Sequence, residues 1–308
     1  MVTVSIVVSF FNEASTLPKF MHNVFRVFEQ RLESYEIIFV NDNSTDDSAS
    51  VIALQAKVKP QNASVVTINM SRRFGVEECF LAGIERAKGD AIILMYADLQ
   101  DPPDLIPDML EQYYQGAQVV HTIRRSRIGD PWLKRIVAHF AYRLVNRSAQ
   151  VPIPLDAGDF KLLSRKVARI VLSLSESDPY LRGLIPWVGF KQTSVCYDMQ
   201  PRQGGNSKIP LFGTKAWTVF LSGVTSFSHF PIPLMLTVGV LTLIFSAVGC
   251  LVYICKSQVG GWGFMLSYIT LLWSLLVMML AFLGIYLLRI YKDVRGRPKY
   301  IIDDVVQS

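Results

Sequence analysis

The chain is poor in cysteine and histidine, with four of each in 308 residues. Cys79, Cys196, Cys250 and Cys255 form no C-x-x-C pair, which removes the zinc-ribbon and thioredoxin-like readings. Two of them sit inside one apolar run, so no disulfide framework is in view and all read as free thiols in a reducing compartment. No zinc finger, aromatic RNA-binding signature or long basic run is present. The formal charge of +6 and the pI near 9.1 therefore point away from nucleic acid and towards anionic lipid or a phosphorylated substrate. Met1 to Ser5 offers no basic region ahead of its apolar run and reads as a strand, not a signal peptide. Internal repeats and low-complexity segments are absent as well.

Charge itself is missing from two long stretches, Leu234 to Cys255 and Phe264 to Leu288. Each is long enough to cross about 30 Å of hydrocarbon as a helix. The mean hydropathy of +0.31 is concentrated there. Arg289, Lys292, Arg295, Arg297 and Lys299 follow the second stretch, whereas the intervening loop holds only Lys256. That bias places both termini, and the whole amino-terminal domain, on the cytoplasmic side of the membrane. Between Pro210 and Phe230, Trp217, Phe220, Phe227 and Phe230 stand among few charges, as in a helix lying on a membrane surface. The expected organisation is a cytoplasmic domain over residues 1–208, an interfacial segment over 209–233, a two-helix transmembrane hairpin over 234–288 (234–255 and 264–288), and a cytoplasmic tail over 289–308.

The soluble part alternates apolar, β-branched runs with helical signals. Strands are expected at Val4–Val8, Glu36–Val40, Val65–Asn69, Asp90–Met95 and Gln118–Thr122, with Ser15 as the cap of the first helix. That alternation predicts an α/β fold with a mostly parallel sheet. Polar clusters stand where four of these strands end: Asn12/Glu13, Asp42, Arg72/Arg73 and Asp98/Gln100. Ligands of such sheets bind beyond the carboxyl ends of the strands.

Several residue types there suit a phosphorylated ligand. Asp98 and Gln100 are hard oxygen donors of the kind that hold Mg²⁺ or Mn²⁺. Asp42 suits either a nucleobase or ribose contact or a turn. Arg124 opens a cationic cluster past the fifth strand, and guanidinium forks match phosphate oxygens. Arg202 and Lys208 flank a flexible Gly204-Gly205 pair that can close over a diphosphate. Asp156 and Asp159 bracket Gly158, as a base, an acceptor-orienting group or a turn.

In one order the chain carries Phe11-Asn12-Glu13, Val40 to Asp46, Ser71-Arg72-Arg73-Phe74-Gly75, Ala97 to Pro103, Gly158-Asp159-Phe160, Trp187-Val188-Gly189, Arg202 to Lys208 and Ser226-Phe227-Ser228. This set resembles family 2 glycosyltransferases of the polyprenyl-phosphate type, above all the bactoprenol (undecaprenyl-phosphate) glucosyltransferases, relatives of dolichyl-phosphate mannose synthase. The resemblance implies a nucleotide-binding domain of the glycosyltransferase A type. It implies inverting transfer of one sugar, commonly glucose from a UDP-sugar, to undecaprenyl phosphate at the bacterial inner membrane, for an envelope glycan such as O-antigen. Carried over by position, Phe11, Glu13 and Asp42 hold the nucleotide, and Asp98 and Gln100 hold Mg²⁺ or Mn²⁺. Arg124, Arg202 and Lys208 meet phosphates, and Asp159 takes the place of the carboxylate proposed as base. Further implied partners are the lipid bilayer, a separate flippase, an outer-face transferase and further copies of the chain in a tetramer.

The chain also departs from the family pattern. Tyr96 stands where an Asp is usual, Val76 where Lys is frequent, Ser9 where Pro is usual, and Ile285 and Leu288 where Glu and Gly are common. Two other readings remain open at this level. A polymer-extending transferase is disfavoured by the lack of a Gln-x-x-Arg-Trp motif. A non-catalytic nucleotide-sugar-binding paralogue draws on Tyr96 and Val76.

Overall fold

The computed structural model of the protein describes residues 3–29, 31, 33–124, 157–198, 237–242, 244, 248 and 262–307. An eight-stranded sheet is built from β1 (Val4–Phe10), β2 (Tyr35–Asn41), β3 (Ala63–Met70), β4 (Ala91–Tyr96), β5 (Val119–Arg124), β6 (Ala157–Ser164), β7 (Gln192–Tyr197) and β8 (Ile302–Gln307). Its spatial order is β7-β5-β6-β4-β1-β2-β3-β8. β1 pairs parallel with β2 and β4, β2 with β3, and β5 with β7, while β6 and β8 run antiparallel to their neighbours. The five strands expected from the sequence are all present, at slightly shifted bounds.

β1 is central because its side chains suit burial on both faces. Val4, Ile6, Val8 and Phe10 point to one core cluster and Val7 to the other, as the two-residue period requires. The first cluster is covered by α1 (Leu17–Phe28), α2 (Ser48–Ala56) and α4 (Ile106–Tyr114). The second is covered by α3 (Val76–Arg86), α5 (Arg165–Ser173) and α6 (Leu181–Trp187). α3 lies flat on the sheet because Gly83 carries no Cβ, which would stand 2.1 Å from Val7 Cγ1. The cap of α1 is Thr16 instead of Ser15, and its hydroxyl turns back to donate to the Glu13 carbonyl at 3.0 Å.

From β1 the chain steps outwards through β2 to β3, then returns to the other side of β1 as β4. The crevice between the diverging connections of β1 and β4 is the topological switch point of the sheet.

The carboxy-terminal region differs from the expected arrangement. α7 (Trp262–Arg295) continues past Leu288, where the second apolar stretch ends. Leu271–Arg295 is long and apolar enough to cross a membrane, and it is the one such helix among the described residues. The first expected span, 234–255, lies mostly outside the described residues, although 237–242 are helical. The interfacial segment 209–233 lies outside them entirely. Residues 289–307 do not trail away as a tail. Beyond α7 the chain rejoins the domain, and β8 extends the sheet along the edge of β3, with Thr67 opposite Val306 and Asn69 opposite Asp304. Lys292 pairs with Asp178 at 2.6 Å, Ser177 N–H donates to Asp293 at 2.8 Å, and Tyr300 donates to Glu85.

Candidate active site

At the switch point, Ser9, Phe10, Phe11, Glu13, Asp42, Arg73, Val76, Tyr96, Ala97 and Asp98 line one cleft. Phe11, Glu13, Asp42, Arg73 and Asp98, all singled out from the sequence, thus meet there.

The loops after β1 and β2 are stitched to each other by short polar side chains. Asn12 adopts the left-handed region at φ 55, and its Oδ1 accepts from Thr45 N–H at 2.8 Å. Its own N–H donates to Ser44 Oγ at 3.0 Å, Glu13 N–H to Ser48 Oγ at 3.0 Å, and Ala14 N–H to Asp46 at 3.1 Å. The polar run Asn41 to Ser48 is therefore scaffolding for the cleft wall, built from Asx-type contacts.

Asp42 does more than face the cleft. Its Oδ1 accepts from Phe74 N–H at 2.7 Å and Gly75 N–H at 3.2 Å, which anchors the turn from β3 into α3. Its Oδ2 lies 3.6 Å from Arg73 Nε. The Arg73 guanidinium stacks 3.9 Å over the Phe11 ring, so cation, ring and carboxylate form one edge of the cleft.

Asp98 closes a tight turn in which its Oδ1 accepts from Gln100 N–H at 3.2 Å. Leu99, between them, is buried with a φ of 61, a conformation that a branched side chain adopts only under constraint. The turn presents the Asp98 carboxylate to the cleft, whereas Gln100 is not among the residues that line it. Among the described residues there is no group of three or more His, Cys, Asp or Glu that could hold a metal by itself. Hard oxygen donors in this small number suit an ion such as Mg²⁺ that keeps waters and takes further oxygens from a phosphate. The residues present fit such an ion.

Asp159 stands behind the cleft wall. Its Oδ2 accepts from the Tyr96 hydroxyl at 2.5 Å, and its carboxylate takes Arg182 Nε at 2.7 Å and Nη2 at 2.6 Å. Burial alone would raise its pKa. The hydrogen bonds and charge of Arg182, with Lys161 behind, outweigh burial and hold the carboxyl well below the usual carboxylate range. A group so fixed in its ionised form is a poor proton acceptor, which argues against the role of base. Around it, burial and the charge of Asp159 push Glu77 up to about 8. Burial lowers Lys161 to about 8 against the pull of the same charge.

Arg124 lies deeper than a simple phosphate-facing cation. Its Nε donates to Tyr197 Oη at 3.1 Å, and Tyr197 donates to the buried Asp101 at 2.6 Å. Arg124 Nη2 is 3.6 Å from Asp101 Oδ1. The guanidinium also crosses Gly158, where a Cβ would come within 3.4 Å of Nη2. Burial raises Asp101 to about 6, against the Tyr197 hydrogen bond and the Arg124 charge. Arg202 and Lys208 lie outside the described residues.

The sequence reading missed Arg182, Tyr197, Lys161 and Glu77. Arg182 carried a signal, as the single charge in the run Tyr180 to Trp187. Lys161, with 2% of its surface exposed, sits at an inward position of β6 that no local pattern marks.

Comparison with known proteins places the chain in a family. The chain is 37% identical over 309 residues to the prophage bactoprenol glucosyl transferase homolog of Escherichia coli K12, covering 98% of this chain and 99% of that one. It is 35% identical over 306 residues to the bactoprenol glucosyl transferase of Shigella phage SfII, covering 97% of each. It is also 36% identical over 303 residues to the glycosyltransferase YkcC of Bacillus subtilis, covering 97% of this chain and 92% of that one. Among solved structures, glucosyl-3-phosphoglycerate synthase from Mycobacterium tuberculosis, in complex with Mn²⁺, UDP-glucose and phosphoglyceric acid, shares the fold at a TM-score of 0.50 and 17% identity, over 73% of this chain and 79% of that one. The family described as glycosyl transferase family 2 matches residues 5–171, the stretch holding β1 to β6 and every described cleft residue. On these grounds the chain belongs to glycosyl transferase family 2 and is a glycosyltransferase.

Proposed function

We propose that the protein transfers a single hexose, glucose, from a UDP-sugar to undecaprenyl phosphate at the cytoplasmic face of the bacterial inner membrane, with inversion at the anomeric carbon. The observation that carries this reading is the union of a switch-point cleft with a long apolar helix in one chain, matched end to end by bactoprenol glucosyl transferases. A lipid-borne acceptor gives such an enzyme reason to stay at the bilayer. Two membrane spans with both termini cytoplasmic remain our reading of the charge pattern.

Phe11, stacked under Arg73, offers a flat wall for the nucleobase, and Asp42 holds that wall in place. Asp98 and Gln100 would hold Mg²⁺ or Mn²⁺, which when bound neutralises the departing diphosphate. Arg124, with Arg202 and Lys208, gathers phosphates of donor and acceptor. The acceptor needs no strong base, since a phosphate monoester with a second pKa of about 6 is mostly dianionic at neutral pH. An Asp159 that stays ionised suits that chemistry, acting by position and not by proton transfer.

The test is a donor screen. Full-length protein in detergent, with undecaprenyl phosphate and Mg²⁺ or Mn²⁺, is offered radiolabelled nucleotide sugars one at a time. Label entering the lipid phase from UDP-glucose is the expected result. Transfer from another donor corrects the sugar. Bound UDP without transfer from any donor replaces this reading with the non-catalytic one.

A further inference from the structure

Arg182 differs from Arg124 and Lys161, the cations beside it. Two of its nitrogens are committed to Asp159, yet 44% of its side chain remains exposed, against 7% for Asp159. Neutralising Asp159 does not require that exposure, because Lys161 already lies buried nearby with its charge on the same carboxylate. The guanidinium has five N–H donors in a rigid fork. Asp159 takes one from Nε and one from Nη2, and Nη1 makes no hydrogen bond among the described residues. Its free edge, shared by Nη1 and Nη2, is the edge that matches two oxygens of a phosphate.

A row of hydrogen bonds ties Arg182 to the cleft wall. Arg182 grips Asp159, Asp159 grips the Tyr96 hydroxyl, and Tyr96 lines the cleft. Arg124 stands close enough for its charge to be felt by Arg182. Glu77, shifted towards its neutral form by burial, offsets little of this positive charge. Arg124 is already paired with Asp101, so Arg182, with Lys161 buried behind the same carboxylate, is the cation of this row with donors left for an incoming anion.

From this row we infer that Arg182 binds the phosphate of the acceptor, and that Asp159 and Tyr96 are positioning residues for it. Asp159 fixes the plane of the guanidinium. Tyr96 braces Asp159 through a neutral hydroxyl, where the Asp usual in the family would set a second negative charge beside it. The charge of Arg182 then stays available for a dianion. This assignment rests on the acceptor proposed above and deepens it.

Undecaprenyl phosphate and UDP are each titrated into the full-length protein in detergent, and transfer from UDP-glucose is followed against both substrates. Arg182→Gln is expected to weaken acceptor binding and raise the acceptor KM by about tenfold or more, as for a lost charge-assisted contact, while UDP binding stays within about twofold of wild type. Arg182→Lys keeps the charge without the fork and recovers part of the loss. Tyr96→Phe raises the acceptor KM a few-fold and leaves kcat in place, a split that a purely structural role would not produce. An unchanged acceptor KM in both Arg182 variants, or equal weakening towards UDP and lipid phosphate, overturns the assignment and leaves Arg182 a counter-ion. Wild-type protein that binds UDP but no undecaprenyl phosphate overturns the acceptor reading itself, and this inference with it.

Discussion

The two halves of the sheet hold their functional groups by different means. On the β1–β2–β3 side, the cleft wall is fastened by short neutral contacts at Asn12, Ser44 and Ser48 and by two carboxylates, Asp42 and Asp46, that accept backbone N–H groups. On the β4–β6–β5–β7 side, buried charges hold one another: Asp159 with Arg182, Arg124 with Asp101, and Lys161 and Glu77 close by. Neutral clamps are worth about 1 kcal/mol each. Removing one partner of a buried charge pair strands the other and costs several times as much. The first half should therefore tolerate change piecemeal, and the second should respond as a unit.

The largest effect tests the site where the halves meet. Asp98→Asn keeps the turn but removes the carboxylate, and kcat for sugar transfer should fall by about a hundredfold or more. Asp159→Asn should cost less, about tenfold, and the pH profile of the remaining activity should match that of wild type. A loss at Asp159 equal to that at Asp98 would restore the base and erase the contrast between the two halves. Asp42→Ala releases Phe74, Gly75 and Arg73 together, so the KM for the nucleotide sugar should rise about tenfold with the acceptor KM unchanged. A parallel rise in both would show that the two halves are not separable.

The smallest effect concerns pH. Glu77 has a folded-state pKa raised from its ordinary 4.5 to about 8. Over that window the folded protein binds more protons than the unfolded chain, so this group's contribution to stability falls as pH rises from 4.5 towards 8. Glu77→Gln should flatten the decline in Tm between pH 5.5 and 8, by a few degrees across the window. An unaltered slope would remove Glu77 from the charged network.

The same contrast explains which parts of the site could be read from the sequence. Phe11, Glu13, Asp42 and Asp98 stand at strand ends inside compact motifs, and knowing that strands alternate with helices is enough to bring them to one edge. The partners of the charged half come from distant elements: Tyr96 and Asp159 are 63 positions apart, and Tyr197 and Asp101 are 96 apart. β6 brings Asp159 and Lys161 into the sheet against the parallel trend, and nothing local marks it as antiparallel. Tyr96 read as a lost carboxylate in sequence; in three dimensions its hydroxyl is the brace of Asp159. The carboxy-terminal strand escaped notice because Ile302–Gln307 is short and follows a long apolar helix, where a solvated tail is the ordinary expectation.

That strand bears on how the molecule is made. β8 is translated after α7, so β3 must wait as an open edge while the long apolar helix emerges and finds its place. An unpaired edge invites pairing with other chains. Through Asn41 and Asn69 the same edge reaches back to the loop beyond β2, and Asp304 supplies the last bond of that chain at 2.6 Å. The β1–β2–β3 side of the cleft is thus completed last. A copy whose helix is mislaid during biogenesis would be left with its β3 edge unsealed and open to pairing with other chains.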